Sequence, residues 1–185
     1  MKRNSLPTGF ILTAIIFVAL NFYSNAQLRV SIGGTFGGGF LESNSPSVST
    51  VTASLFIETN TALFAEVFPR LGLVFAKDFN AIIPNVEKPY FPYVRGITFK
   101  GVTTQYFDGR YFLEEGVGLL ALNDRTFSDR DDWNYGVVLS LNGGFDLRGF
   151  NLDGFKLGGG AEYGLTFTNS LPQYSSIHAF VQYNF

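Results

Sequence analysis

The sequence has no cysteine, one histidine, one tryptophan and only 28 ionisable acid and base side chains of the Lys, Arg, Asp and Glu types among 185 residues (13 basic, 15 acidic). Without cysteine there is no disulfide framework, no thiol nucleophile, no cysteine-based metal site and no lipoprotein anchor. A single His178 excludes a histidine-rich metal site. Gly33-Gly34 and Gly37-Gly38-Gly39 lack the following helix and the Lys-Ser/Thr or GxGxxG context of a phosphate cradle, so no cofactor is expected. The formal charge is −2, and nothing in its distribution attracts nucleic acid.

What is abundant is glycine, with 21 residues, and aromatic side chains, at 17%. That composition fits β structure with much aromatic surface. At the amino terminus, Lys2 and Arg3 precede an apolar core from Phe10 to Leu20, broken only by Thr13, and Ser24-Asn25-Ala26 supplies small residues. This is the pattern of a secretory signal, with cleavage expected before Gln27. The core is short against the ~20 residues of a spanning helix. The expected organisation is therefore a cleaved leader, 1–26, and one domain, 27–185, with no apolar run long enough to cross a membrane as a helix.

The domain reads as strands. Ile177, Ala179, Val181, Tyr183 and Phe185 are apolar at every second position, which is the period of a strand with one apolar face. The same alternation predicts a first strand over Leu28 to Phe40 and a second with Val51, Ala53, Leu55 and Ile57 on one face. A third is predicted from about Ala62 to Ala76, with a bulge or break at Pro69, and a fourth over Tyr93 to Phe107. Asp108-Gly109 is a hairpin signal leading to a fifth strand from Tyr111. Two more follow around Tyr135–Asp146 and Phe155–Thr168, and the closing strand makes eight. Glu115 falls on an apolar face, which calls for either a water interface or a bulge. Connections after the odd strands are expected to be long, including a charged loop over Asn123 to Asp132, and those after the even strands short.

The aromatic stop at Phe185, preceded by Val181 and Tyr183, resembles the carboxy-terminal assembly signal of bacterial outer-membrane barrels. With eight strands and alternating connections, the chain resembles the small OmpA/OmpX-like outer-membrane family. The resemblance implies an eight-stranded antiparallel up-and-down transmembrane β-barrel in the cell outer membrane, monomeric, in contact with outer-membrane lipid and lipopolysaccharide and inserted by the barrel-assembly machinery. A soluble lipocalin-like barrel, with an apolar interior that holds a ligand, is the rival architecture. Against it, the polar faces are rich in Gly, Ser and Thr with isolated charges. Arg29, Glu58, Glu66, Arg70, Lys100, Glu114, Asp146, Lys156 and Glu162 are expected to interleave as ion pairs in a plugged lumen, because an unpaired buried charge costs several kcal/mol.

Catalysis is the alternative function. Ser176 and His178 share a face with Glu162 of the preceding strand, a nucleophile, base and acid in principle. That face is the inward one. Barrel lipid A deacylases carry His-x-Ser toward the membrane, whereas here the order is Ser176-x-His178, and Thr168 stands where a similar stretch would need His. The expected role is non-catalytic: membrane integrity or surface interaction through the external loops. Two outer features are candidate binding sites, Asp129 to Asp132 for a divalent cation and Arg95 for a lipopolysaccharide phosphate; a solvated loop is the simpler reading of the first.

Overall fold

Alternating apolar and small or polar residues give each segment two unlike faces, and the chain disposes of both by closing on itself. The computed structural model describes residues 29–43, 46–64, 66–149 and 151–185; the expected leader and cleavage site lie outside them. Eight strands, β1 (Val30–Glu42), β2 (Val48–Thr59), β3 (Phe68–Asp78), β4 (Tyr93–Phe107), β5 (Tyr111–Arg125), β6 (Asp132–Asp146), β7 (Gly154–Thr166) and β8 (Gln173–Asn184), form a closed barrel. Every neighbour in sequence is an antiparallel neighbour in the sheet, and β8 returns to β1, with Ile32 opposite Tyr183 and Phe36 opposite Ala179. Closure leaves no edge strand, since each strand has a neighbour on both sides. Strands of 11 to 15 residues meet or exceed the ~9–11 needed to cross a bilayer tilted.

The side chains are sorted in the opposite sense to a soluble barrel. Phe36, Leu119 and Ile177 are 65%, 67% and 77% exposed on the outer wall, whereas the inward Arg70, Glu114 and Gln182 are 1%, 0% and 0% exposed. An apolar surface of this extent is costly in water and at rest against hydrocarbon. The lipocalin-like alternative is thereby excluded, since its apolar side chains would fill the interior. Aromatic residues stand outward toward the strand ends: Phe40, Phe75, Trp133 and Tyr135 at the loop side, Phe107, Tyr111, Phe145 and Phe155 at the turn side, the positions of interfacial girdles.

Local chemistry explains several boundaries. Asp108 and Gly109 both have positive φ, 50° and 68°, which is the two-residue turn that matches strand twist. The third strand starts later than its apolar pattern predicts, at Phe68, because Glu66 turns the chain with φ of 65° and Val67 closes a small bridge with Phe64. Pro69 produces no bulge. Pairing of β3 with β2 begins only at Arg70, so the proline stands where no ladder bond to β2 is required.

The expected alternation of long and short connections is not present. Those at one end are 43–47, 79–92, 126–131 and 167–172, and those at the other are 60–67, 108–110 and 147–153. Only 79–92, which opens with a 3-10 turn (Phe79–Ile82), is long. The charged loop is shorter than predicted because Asn123, Asp124 and Arg125 complete β5. Glu115 lies outward, opposite Thr103 and Leu141 in an unbroken register. Its inward neighbour Glu114 reaches Arg70 near the start of β3, which sets Glu115 at the height of the 60–67 turn and the adjacent aromatic girdle.

Candidate functional site in the barrel interior

The interior is built in four levels. At the turn end, Arg70 on β3 is the hub. Its Nε donates to Glu58 Oε2 on β2 and its Nη2 to Glu114 Oε2 on β5, each at 2.8 Å. Lys156 Nζ on β7 meets Glu114 Oε1 at 3.2 Å, and Gln182 Nε2 on β8 donates to Glu58 Oε1 at 3.2 Å. Two cations and two carboxylates are thus neutralised across the lumen. The planar guanidinium suits this place because it can serve two carboxylates at fixed angles while its face rests on a ring; Arg70 lies 4.3 Å from the Phe56 ring centroid. Phe56 stacks on Phe180 at 5.7 Å, and Phe180 meets Phe112 at 5.8 Å, so an aromatic cluster packs against the charges.

At mid-height Lys100 Nζ pairs with Glu162 Oε2 at 2.6 Å, and Tyr174 donates its hydroxyl to Glu162 Oε1 at 2.6 Å. His178 is 6% exposed. Its Nε2 is 2.9 Å from Asn142 Oδ1, and its Nδ1 is 3.2 Å from Ser176 Oγ, which also bonds Thr52 at 2.7 Å. With an amide oxygen facing Nε2, that nitrogen carries the hydrogen and Nδ1 accepts from Ser176. The ring's second partner is therefore a neutral amide; Glu162 is held by Lys100 and Tyr174. An amide oxygen cannot compensate an imidazolium as the buried carboxylate of a Ser-His-Asp triad does. Ser176 and His178 form hydrogen-bonded interior packing.

Toward the loop end the polar layers give way to an apolar cluster of Leu41, Val74, Val94, Leu120, Leu122 and Val138 with the ring of Tyr174. Above it a buried Asp124 binds the external connections together. Its carboxylate accepts from the Ser170 hydroxyl, from Ser43 Oγ at 3.0 Å, and from Thr126 N and Oγ1 at 2.9 and 2.7 Å. Three of the four loops at this end are joined through one side chain. Asp124→Ala is expected to lower unfolding free energy by about 1–3 kcal/mol, since hydroxyls and an amide lose their acceptor. Faster amide exchange confined to 43–47, 126–131 and 167–172 would report it; unchanged exchange there would refute the clasp.

Of the nine charges expected in the lumen, Glu58, Arg70, Glu114 and Lys156 come together in one group and Lys100 and Glu162 in another. The others do not. Glu66 is exposed in the turn between β2 and β3, because the strand containing it in the sequence pattern does not form. Asp146 faces inward but is taken by Arg148 two residues on, at 2.5 Å. Arg29 precedes β1, and among the described residues no carboxylate lies within ion-pair distance of it. Val181, Tyr183 and Phe185 all lie on the outward register of the last strand; Tyr183 packs edge-on against both Phe155 and Phe185 at 4.8 Å. The sequence reading missed Asn142, Gln182 and Asp124, whose importance has no periodic signal. In the loop between β5 and β6, the Asn123 amide, with the Arg125 and Arg95 guanidinium groups, holds the Asp131 carboxyl below the usual carboxylate range against an opposing desolvation.

A closed antiparallel barrel of eight spanning strands, apolar outside and charged within, has the fold of the small outer-membrane barrels of the OmpA/OmpX-like kind. Solved structures agree. The chain is similar to Neisserial surface protein A, with a TM-score of 0.64 and 10% identity over 86% of this chain and 98% of that one. It is also similar to Ail, the attachment invasion locus protein of Yersinia pestis, with a TM-score of 0.52 and 9% identity over 86% of this chain and all of the other. No protein-family model and no curated protein sequence matches it.

Proposed function

We propose that the protein is a non-catalytic barrel of the cell outer membrane whose lumen is plugged, acting in membrane integrity or surface interaction through its external loops. The observation that carries this reading is the filled interior: two neutralised ion-pair groups, then an apolar cluster, then the Asp124 clasp. Eight strands leave an interior that side chains just fill. Export by the 1–26 leader, recognition of Val181, Tyr183 and Phe185 by the barrel-assembly machinery, a monomeric state and contact with lipopolysaccharide complete the proposal. The fold alone assigns no activity; what speaks against the lipid A hydrolase alternative is that Ser176 and His178 lie inside the wall, 5% and 6% exposed, with an amide in the acid's place.

Purified protein that migrates as a heat-modifiable band and comes from the outer-membrane fraction is the expected starting material. In planar bilayers it should give no steady conductance. A large, persistent conductance would overturn the plugged lumen, and an altered lipid A acyl count on expression, lost in His178→Ala, would overturn the non-catalytic reading.

A further inference from the structure

β4 is paired on both sides over only part of its length. Its register with β5 runs to Phe107 opposite Tyr111, whereas its register with β3 begins at Val102 opposite Phe68. Thr103 to Phe107 therefore overhang at the turn end of the barrel, paired on the β5 side alone. The 60–67 turn abuts this part of β4, since a Cβ on Gly101 would come within 2.7 Å of Val67. Its backbone bonds go elsewhere: Leu63 N donates to Val67 O, Val67 N to Phe64 O and Asn60 N to Arg29 O. Among the described residues, none of its backbone groups bonds to the overhang. A free edge of this kind accepts another strand, and proteins guard such edges with charge, proline or a bulge. Thr103-Thr104-Gln105-Tyr106-Phe107 has no charge and no proline, its register with β5 is unbroken, and Thr, Tyr and Phe favour strands.

The overhang is held in place from within. Its inward Tyr106 accepts from Arg148 Nη2 at 2.9 Å, and Lys156 lies 5.3 Å from the same ring. On the outward side Thr103 is opposite Glu115. Glu115 is exposed, and among the described residues no cation lies within ion-pair distance of it. Glu115 and Thr103 also border an apolar groove of about 860 Å³ between the 60–67 turn and the barrel wall, lined by Leu63, Phe64, Val67, Phe99 and Val117. Free edge, lone carboxylate and apolar groove thus share one place.

We propose that the overhang takes up an extended segment of a periplasmic protein as an added strand, continuing the sheet where β3 stops. Main-chain hydrogen bonds to β4 supply the affinity, and alternate side chains supply the choice of segment. The outward residues of the added strand meet the groove and Glu115. The segment that fits therefore carries an apolar residue for the groove and, two positions away, a Lys or Arg that reaches past the short Thr103 to the Glu115 carboxylate. A second copy of this chain fits less well, because edge-to-edge pairing would set Glu115 of each copy beside Thr103 to Phe107, which offer no cation. An edge already fixed by Tyr106 spares the ordering cost on one side of the contact. That this end of the barrel faces the periplasm rests on the outer-membrane reading above.

The test uses folded, detergent-solubilised full-length protein and short end-blocked peptides. The first alternates valine and threonine, with lysine in place of a central valine. The second has glutamate in place of that lysine. The third is the lysine peptide N-methylated throughout, which keeps its side chains and removes every ladder donor. Fluorescence anisotropy measures binding, and amide hydrogen exchange locates it. The lysine peptide should slow exchange within 103–107 and bind about fivefold more tightly than the glutamate peptide, the upper scale of an exposed ion pair. The N-methylated peptide should not bind. Glu115→Gln should erase the difference between the first two, and Thr103→Lys, which guards the edge, should weaken the lysine peptide at least as much. Equal binding of the lysine and N-methylated peptides, or unchanged exchange at 103–107 in a folded barrel, would overturn the edge site. A lysine preference that persists in Glu115→Gln would overturn the role of the carboxylate. Protection of 103–107 that rises with protein concentration in the absence of peptide would give the edge to a second copy and overturn the partner strand. Wild-type protein that shows no heat-modifiable band would instead overturn the outer-membrane reading, so the two failures are distinguishable.

Discussion

Arg70→Ala is expected to lower the unfolding free energy of the barrel by about 3–5 kcal/mol, because it leaves two carboxylates buried without their cation. Glu58 would keep only the Gln182 amide, and Glu114 only Lys156. The guanidinium is also packed against Phe56, 4.3 Å from its ring, so the deletion adds a void beside the aromatic cluster. Arg70→Lys should cost less, roughly 1.5–3 kcal/mol: the charge remains, but an ammonium cannot bridge Glu58 and Glu114 in the same geometry. Urea unfolding of protein folded into lipid vesicles, followed by the emission of the sole tryptophan, Trp133, gives both values. A loss under about 1 kcal/mol for Arg70→Ala would mean that water or a shifted side chain replaces the hub.

Tyr174→Ala should have a comparable effect, about 3–5 kcal/mol, for a different reason. Its ring is fully buried and joins the apolar cluster, and it lies so close to Gly164 that a Cβ there would come within 2.2 Å of it. Removing the ring leaves a cavity that the strand backbones cannot close. Tyr174→Phe separates packing from hydrogen bonding: it retains the apolar cluster and removes only the donor to Glu162, at a cost of about 1–3 kcal/mol. Equal losses in the two variants would place the stabilisation in the hydroxyl and not in the ring. The alanine variant is also the one expected to admit brief conducting events in bilayers, because Tyr174 stands between the Glu162 layer and the external clasp.

How far the architecture is written in the chain can be judged from particular residues. The two-residue period assigned the faces of β4 from Tyr93 to Phe107 and placed Ile177 to Phe185 in a strand, since backbone pleating forces alternate side chains to opposite sides. Asp108-Gly109 announced its turn because few residue pairs accept two successive positive φ values. The same period failed from Ala62 to Val67: alternation was present, yet the chain turns at Glu66, and a local pattern contains no information on where a strand loses its neighbour. Connection lengths failed likewise, as Asn123 to Arg125 pair across the sheet despite their loop-like polarity.

The site was legible by type and not by partner. Opposite charges on inward positions implied ion pairs, because burying them singly is too costly. Which carboxylate meets which cation depends on depth and on distance across the lumen. Arg70 reaches Glu58 on the adjacent strand and Glu114 two strands away, whereas Asp146 is captured locally by Arg148. Residues such as Asp124, Asn142 and Gln182 carry no periodic mark, and their roles exist only once Ser43, Ser170, His178 and Glu58 have been brought beside them.

By itself, then, the sequence determined that the chain makes strands with one apolar and one small or polar face, and that an inward charge needs an opposite. Those properties follow from covalent geometry and solvation, which act residue by residue. Only the tertiary structure decided which carboxylates Arg70 meets, that Asp124 gathers three loops, and that Ser176 and His178 meet an amide. Each depends on closure, which fixes depth and opposition among residues more than a hundred positions apart in the chain, as with Arg70 and Gln182.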